Sequence, residues 1–165
     1  MKKIFLLRCV LPTVLLLLAV NIHALPSRDV DPEEVLSIAM ARNNITTALT
    51  GHYVWRHGLM ETIYSGALFT GSLDHNTCAF GNWLNSEYAR NLTDPVIVSL
   101  RDSIIEPHRF IHTEARIILF LLESGEDEEA LRIFREEVLP ATQIVINGLS
   151  EINNYYGVLL NNLFM

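Results

Sequence analysis

Residues 94–122, DPVIVSLRDSIIEPHRFIHTEARIILFLL, read as one long helix. Asp94 offers a side-chain oxygen to the free amides of a first turn, and Pro95 takes the first helical position, where no N–H is needed. Pro107 removes one backbone hydrogen bond from the interior, so a kink is expected immediately before His108. Ser124 and Gly125 stop the helix.

The flanking sequence repeats the pattern. Upstream, Asp31, Pro32, Glu33 and Glu34 combine a cap, a first-position proline and first-turn acids. Apolar residues at Val35, Ile38, Ala39, Ile45, Leu49, Val54, Leu59 and Ile63 then keep helical spacing through a β-branched patch at Ile45, Thr46 and Thr47, to an end near Gly66. Gly71 to Asn76 is turn-like, and Asn76 or Thr77 is the expected cap of a second helix through Phe80, Trp83, Leu84 and Tyr88, with Cys78 in its first turn. Downstream, Glu126 to Glu129 open a fourth helix whose expected buried stripe is Leu131, Phe134, Val138, Ile144, Val145, Leu149, Ile152 and Tyr156, bent at Pro140. Four helices with short connections and no alternating strand pattern predict an all-α fold, an antiparallel four-helix bundle. The apolar stretch Val158 to Met165 is too short to cross a bilayer and reads as a helix end or part of a dimer surface.

A chain of 165 residues, 50% hydrophobic, supports one domain with a real core. Its first 24 residues stand apart. Lys2, Lys3 and Arg8 precede an almost wholly apolar run from Cys9 to Val20, and Ala24 closes a short polar segment, so residues 1–24 read as a signal peptide and residues 25–165 as the bundle. An uncleaved membrane tether remains the alternative; nothing around Cys9 suggests lipidation. Cleavage removes three of 12 Lys and Arg and none of 19 Asp and Glu, leaving 9 against 19, a formal charge of −10. Without clustered cations, nucleic acid and anionic membrane surfaces are poor partners. Cys78 is then a lone cysteine in an oxidising compartment, where it must be buried, paired with another chain or held by a metal.

His108 and His112 are one helical turn apart and leave the same face of their helix, close enough to grip one ion. The pair alone also fits core or solvated histidines. His52 and Cys78 strengthen the metal reading, because a borderline-soft cation such as zinc favours mixed imidazole and thiolate, and four such ligands close a tetrahedron.

The three segments His52-Tyr53-Val54-Trp55, Cys78-Ala79-Phe80-Gly81-Asn82-Trp83 and His108-Arg109-Phe110-Ile111-His112 resemble the signature of the bacterial chemoreceptor zinc-binding domain family. Twenty-two residues separate Trp55 from Cys78 and 24 separate Trp83 from His108, both within that family's spacing. The resemblance implies a four-helix bundle with His52, Cys78, His108 and His112 as zinc ligands, and a homodimer. Family members usually serve in the cytoplasm beside a chemoreceptor hairpin or a cyclic-di-GMP-making domain; this chain resembles a stand-alone exported form.

The supporting residues have plainer readings. Trp55 and Trp83 read as core aromatics that also shield the site, and Gly81 as a place where helices approach closely. His57 and His75 read as surface residues, with His75 near enough to Cys78 to act as a spare or exchange ligand. Asn44 to Thr46 and Asn91 to Thr93 fit the glycosylation pattern, which matters only in a eukaryotic secretory path. Four protein ligands leave no open position for water, and Glu106 and Glu114 complete no HExxH arrangement, so an enzyme is not expected. The expected function is a zinc-binding sensory or regulatory module, periplasmic, answering to zinc occupancy or to oxidation of a Cys78 thiolate kept deprotonated by the helix N-terminus and a bound cation. Its expected partner is a membrane receptor or signalling protein. The alternatives are a periplasmic zinc carrier or buffer, and a bundle with a purely structural zinc.

Overall fold

A computed structural model describes residues 30–165. The signal peptide read at residues 1–24, with Cys9 and the boundary at Ala24, lies outside the described residues.

Helix α1 spans Pro32–Ser65, where Asp31 accepts the Glu33 amide at 2.9 Å, and it closes at Gly66 with φ +70°. Its buried face is Ala41, Ile45, Ala48, His52, Trp55 and Leu59, in steps of three and four. Val54, expected in the apolar stripe, is 66% exposed, because it precedes Trp55 and so points about 100° away from that face. The β-branched patch is absorbed by back-bonding: Thr46 and Thr47 donate to the carbonyls of Arg42 and Asn43, both at 3.0 Å.

The expected second helix is divided. Helix α2 covers Ala79–Leu84 and α3 covers Glu87–Arg90. Ser86 makes the break, donating to the Trp83 carbonyl at 2.6 Å and accepting the Ala89 amide at 3.2 Å, which caps a new first turn. The cap of α2 is neither Asn76 nor Thr77 but Cys78, whose sulfur accepts the Gly81 amide at 3.3 Å. Asn76 and Thr77 bond instead to Asp74 in the preceding turn.

Helix α4 runs Pro95–Glu123, through Pro107, with the Asp94 carboxylate accepting the amides of Val96 and Ile97. It closes in a Schellman arrangement: Glu126 N–H reaches the Leu121 carbonyl at 2.9 Å and Gly125 N–H the Leu122 carbonyl at 3.2 Å. Gly125 sits at φ +76°, a left-handed conformation that favours glycine. Helix α5, Asp127–Ile133, continues through a π turn at Phe134–Val138 into α6, Leu139–Leu163. The π turn adjoins Pro140, which has no amide to return to Glu136, and Leu139 N–H donates instead to Phe134, five residues back. Ile144, placed in the buried stripe by its apolar character, is 51% exposed, and the stripe runs Val138, Thr142, Val145, Leu149, Ile152 and Tyr156.

The fold is all-helical, with no strand among the described residues. Helices α1 and α4 both pack along α6, α5 packs on α4, and the short α2 packs on α1. Isoleucines dominate the fully buried positions of α4, with Ile97, Ile104, Ile111 and Ile118 repeating every seven residues toward the core. No helix among the described residues is long and apolar enough to cross a membrane.

Candidate metal centre

Four side chains from three helices converge in the interior. His52 comes from the buried face of α1, Cys78 from the cap of α2, and His108 and His112 from successive turns of α4. One donor atom from each lies within 4.8 Å of all the others. Cys78 Sγ is 3.0 Å from His108 Nε2. The His108 ring centroid lies 4.8 Å from that of His112 and 5.1 Å from that of His52. The three histidines are buried and Cys78 is half-buried, so the cysteine marks the side of the cluster nearest solvent.

The backbone fixes which nitrogen each ring presents. His52 Nδ1 is 2.8 Å from the Ala48 carbonyl and His112 Nδ1 is 3.0 Å from the Ser72 carbonyl. A carbonyl can only accept, so both Nδ1 atoms carry the proton and both Nε2 atoms keep a free lone pair. Nε2 of His112 is fully buried with no hydrogen-bond partner. A lone pair left this way in a packed interior is a cost that a cation would remove. The donor set therefore fits a metal ion, with second nitrogens committed to carbonyls as metal-bound histidines commonly have them.

Electrostatics favour the same protonation states. Burial pushes His108 down to about 2, reinforced by the neighbouring imidazoles of His52 and His112. His112 falls to about 4, mainly through burial, with His52 adding to the effect, and burial lowers His52 as well. All three rings are neutral near neutral pH, the form that binds metal. At Cys78 the two expected influences separate. Burial pushes its thiol up, outweighing the stabilisation from the Gly81 and Phe80 amides at the start of α2. The helix N-terminus does not by itself keep this thiol ionised; a cation is needed to make it a thiolate.

Aromatic rings enclose the cluster. Phe80, fully buried, sets its edge against His108 at 4.9 Å and stacks on Trp83 at 5.7 Å. Trp55 lies 5.2 Å from the His112 ring, and its indole N–H donates to the Ser72 carbonyl at 2.8 Å. One carbonyl thus receives both Trp55 and His112, pinning the chain after α1 against α1 and α4 together. That anchor was invisible in the sequence, since every residue has a carbonyl and only folding selects which one is used. Gly81 has a different role from the one expected. A Cβ there would run into the His75 carbonyl and the Asn76 backbone, so the close approach is by the preceding loop and not by another helix.

The remaining candidates separate. His57 is exposed and faces Glu61 at 3.9 Å. His75 lies outside the four-residue group, with its ring 6.3 Å from that of His108. Glu106 turns to Arg109 at 2.8 Å. A cavity of about 330 Å³ opens beside His52 and Cys78, walled largely by apolar groups including Trp55 and Phe69. Set against family models, curated proteins and solved structures, the chain matches none.

Proposed function

We propose that the chain is a zinc-binding sensory or regulatory module acting outside the cytoplasm, a relative of the chemoreceptor zinc-binding domains. On this reading the helices form a four-helix bundle in which the divided α2–α3 segment takes the place of one long helix. The observation that carries the proposal is the convergence of three imidazoles and one sulfur from α1, α2 and α4, with His112 Nε2 buried and otherwise unpartnered.

Zinc is favoured by the chemistry of the donors. Three imidazoles and a thiolate suit a borderline-soft ion and complete a tetrahedral set without water, as in structural or sensory sites. His52, Cys78, His108 and His112 would hold it. When bound, zinc supplies positive charge that keeps Cys78 ionised and a crosslink among three helices. The residues do the rest: Ala48 and Ser72 orient the rings, while Trp55 and Phe80 limit water. Loss of that crosslink would loosen α2 and the loop before it, altering the surface offered to a membrane receptor, a signalling protein or a second copy of the chain. Oxidation of Cys78 would have the same mechanical consequence. The basic and apolar start of the chain supports export.

Metal analysis of the purified protein tests this directly. One zinc per chain is expected, falling to near zero in His52→Ala and His112→Ala while helicity is retained. Hydrogen exchange with and without chelator should show faster exchange around residues 72–84 in the zinc-free form. Absence of zinc, or zinc retained in both variants, would overturn the assignment. Zinc binding with no change in exchange would favour a carrier or buffer.

A further inference from the structure

The four cluster residues are not equally placed, and the loop beside Cys78 carries a fourth histidine. His75 sits three residues before Cys78, with 30% of its side chain exposed, and its ring stands nearly perpendicular to that of His108. Its carbonyl approaches Cys78 Sγ at 3.5 Å. The loop is held in place from several sides. Arg116 donates to the Leu73 carbonyl at 3.2 Å, and the Asp74 carboxylate accepts from the Asn76 amide at 2.8 Å. The Ser72 carbonyl receives Trp55 and His112, and the absence of a side chain at Gly81 lets the His75 and Asn76 backbone sit on the start of α2. His75 is therefore kept beside the cluster. Asp74, 3.9 Å from His75 Nδ1, adds a solvent-facing negative charge next to it.

We propose that His75 is the transfer ligand of the centre, receiving an ion from solvent or from a partner and passing it to Cys78 and His108. This rests on the reading of the four-residue cluster as a metal site. The physical reason is that a closed four-ligand site must either lose a ligand before exchanging its ion or gain a fifth one transiently, and zinc tolerates five-coordination. The buried histidines cannot supply that fifth donor to the outside. His75 can, because its side chain is part-exposed and its own carbonyl lies 3.5 Å from the half-buried Cys78 sulfur. The competing route is the apolar cavity beside His52 and Cys78, bordered by Gly51 on α1, where an added Cβ meets no atom within 4 Å.

The test is the rate at which the zinc-loaded full-length protein yields its ion to an excess of a chromogenic chelator. His75→Ala should keep the zinc content of the wild type and release it about tenfold more slowly, the low end of what groups beside a metal site contribute. His75→Asp, which retains a donor, should recover part of the rate. Gly51→Leu, which narrows the cavity, and His57→Ala should release at the wild-type rate. An unchanged or faster release from His75→Ala overturns the proposal, as does slow release confined to Gly51→Leu, which would put the route through the cavity. Loss of zinc from His75→Ala overturns it too, by making His75 a resident ligand. A wild-type protein without zinc would instead remove the underlying metal reading.

Discussion

At the scale of single residues, the Ser72 carbonyl organises the centre. It accepts the Trp55 indole at 2.8 Å and His112 Nδ1 at 3.0 Å, so the same atom positions the chain after α1 and sets the tautomer of a candidate ligand. Trp55 was legible as an aromatic core residue, but its polar edge matters as well. Trp55→Phe keeps the ring and deletes the donor. We expect it to weaken zinc affinity by about tenfold, as loss of a supporting hydrogen bond commonly does, with stability falling by about 1 kcal/mol. Competition against a zinc-binding dye measures the first and urea unfolding the second. Unchanged affinity would mean that Ser72 holds His112 without help from Trp55.

At the scale of elements, side-chain caps explain where α1, α2, α3 and α4 begin and why the expected second helix breaks. Asp94 is the strongest case, since its carboxylate accepts two amides of α4 and also the Tyr155 hydroxyl of α6 at 3.1 Å. Asp94→Ala should destabilise the protein by about 1–2 kcal/mol, the upper range for a lost helix cap, read as a lower urea midpoint with unchanged slope. Asp94→Asn should recover much of the loss, because an amide oxygen still caps. A destabilisation as small as that of an exposed surface change would show that α4 is fixed by packing alone. The first turns of α1 and α4 were readable because Asp-Pro is a local signal. The division of α2 from α3 was not, because Ser86 is an ordinary helix residue until its hydroxyl finds the Trp83 carbonyl. The π turn was half readable: Pro140 marked a disturbance, but its form depends on which carbonyl the Leu139 amide reaches.

At the scale of the whole molecule, the buried histidines link metal-free stability to pH. His52, His108 and His112 all titrate lower in the folded protein than the usual histidine value of 6.5, with His112 at about 4 and His108 at about 2. Below 6.5 the unfolded chain takes up protons that the folded chain refuses, so stability is full above 6.5 and declines as pH falls toward 4. The urea midpoint of the zinc-free protein should therefore drop steadily between pH 7 and pH 4. His112→Asn, lacking one of these groups, should show a shallower decline. A flat profile would indicate that the rings are already hydrated in the metal-free state.

The sequence by itself determined the helical class, the starts of α1 and α4, and the identities of the four cluster residues. The class and the helix starts rest on local chemistry, an apolar period and a cap beside a proline, as do His108 and His112, two histidines one turn apart. His52 and Cys78 were picked out by donor type and by the resemblance of their segments to the zinc-binding signature. Tertiary structure decided what no local pattern contains. It put His52 and Cys78 within reach of His108 and His112 by packing α2 on α1 and bringing α4 alongside. It turned Val54 and Ile144 to solvent, because a helix can bury only one face and neighbours one step away fall off it. It also showed that the helix start alone does not ionise Cys78, since burial outweighs the Gly81 and Phe80 amides and leaves that task to a cation.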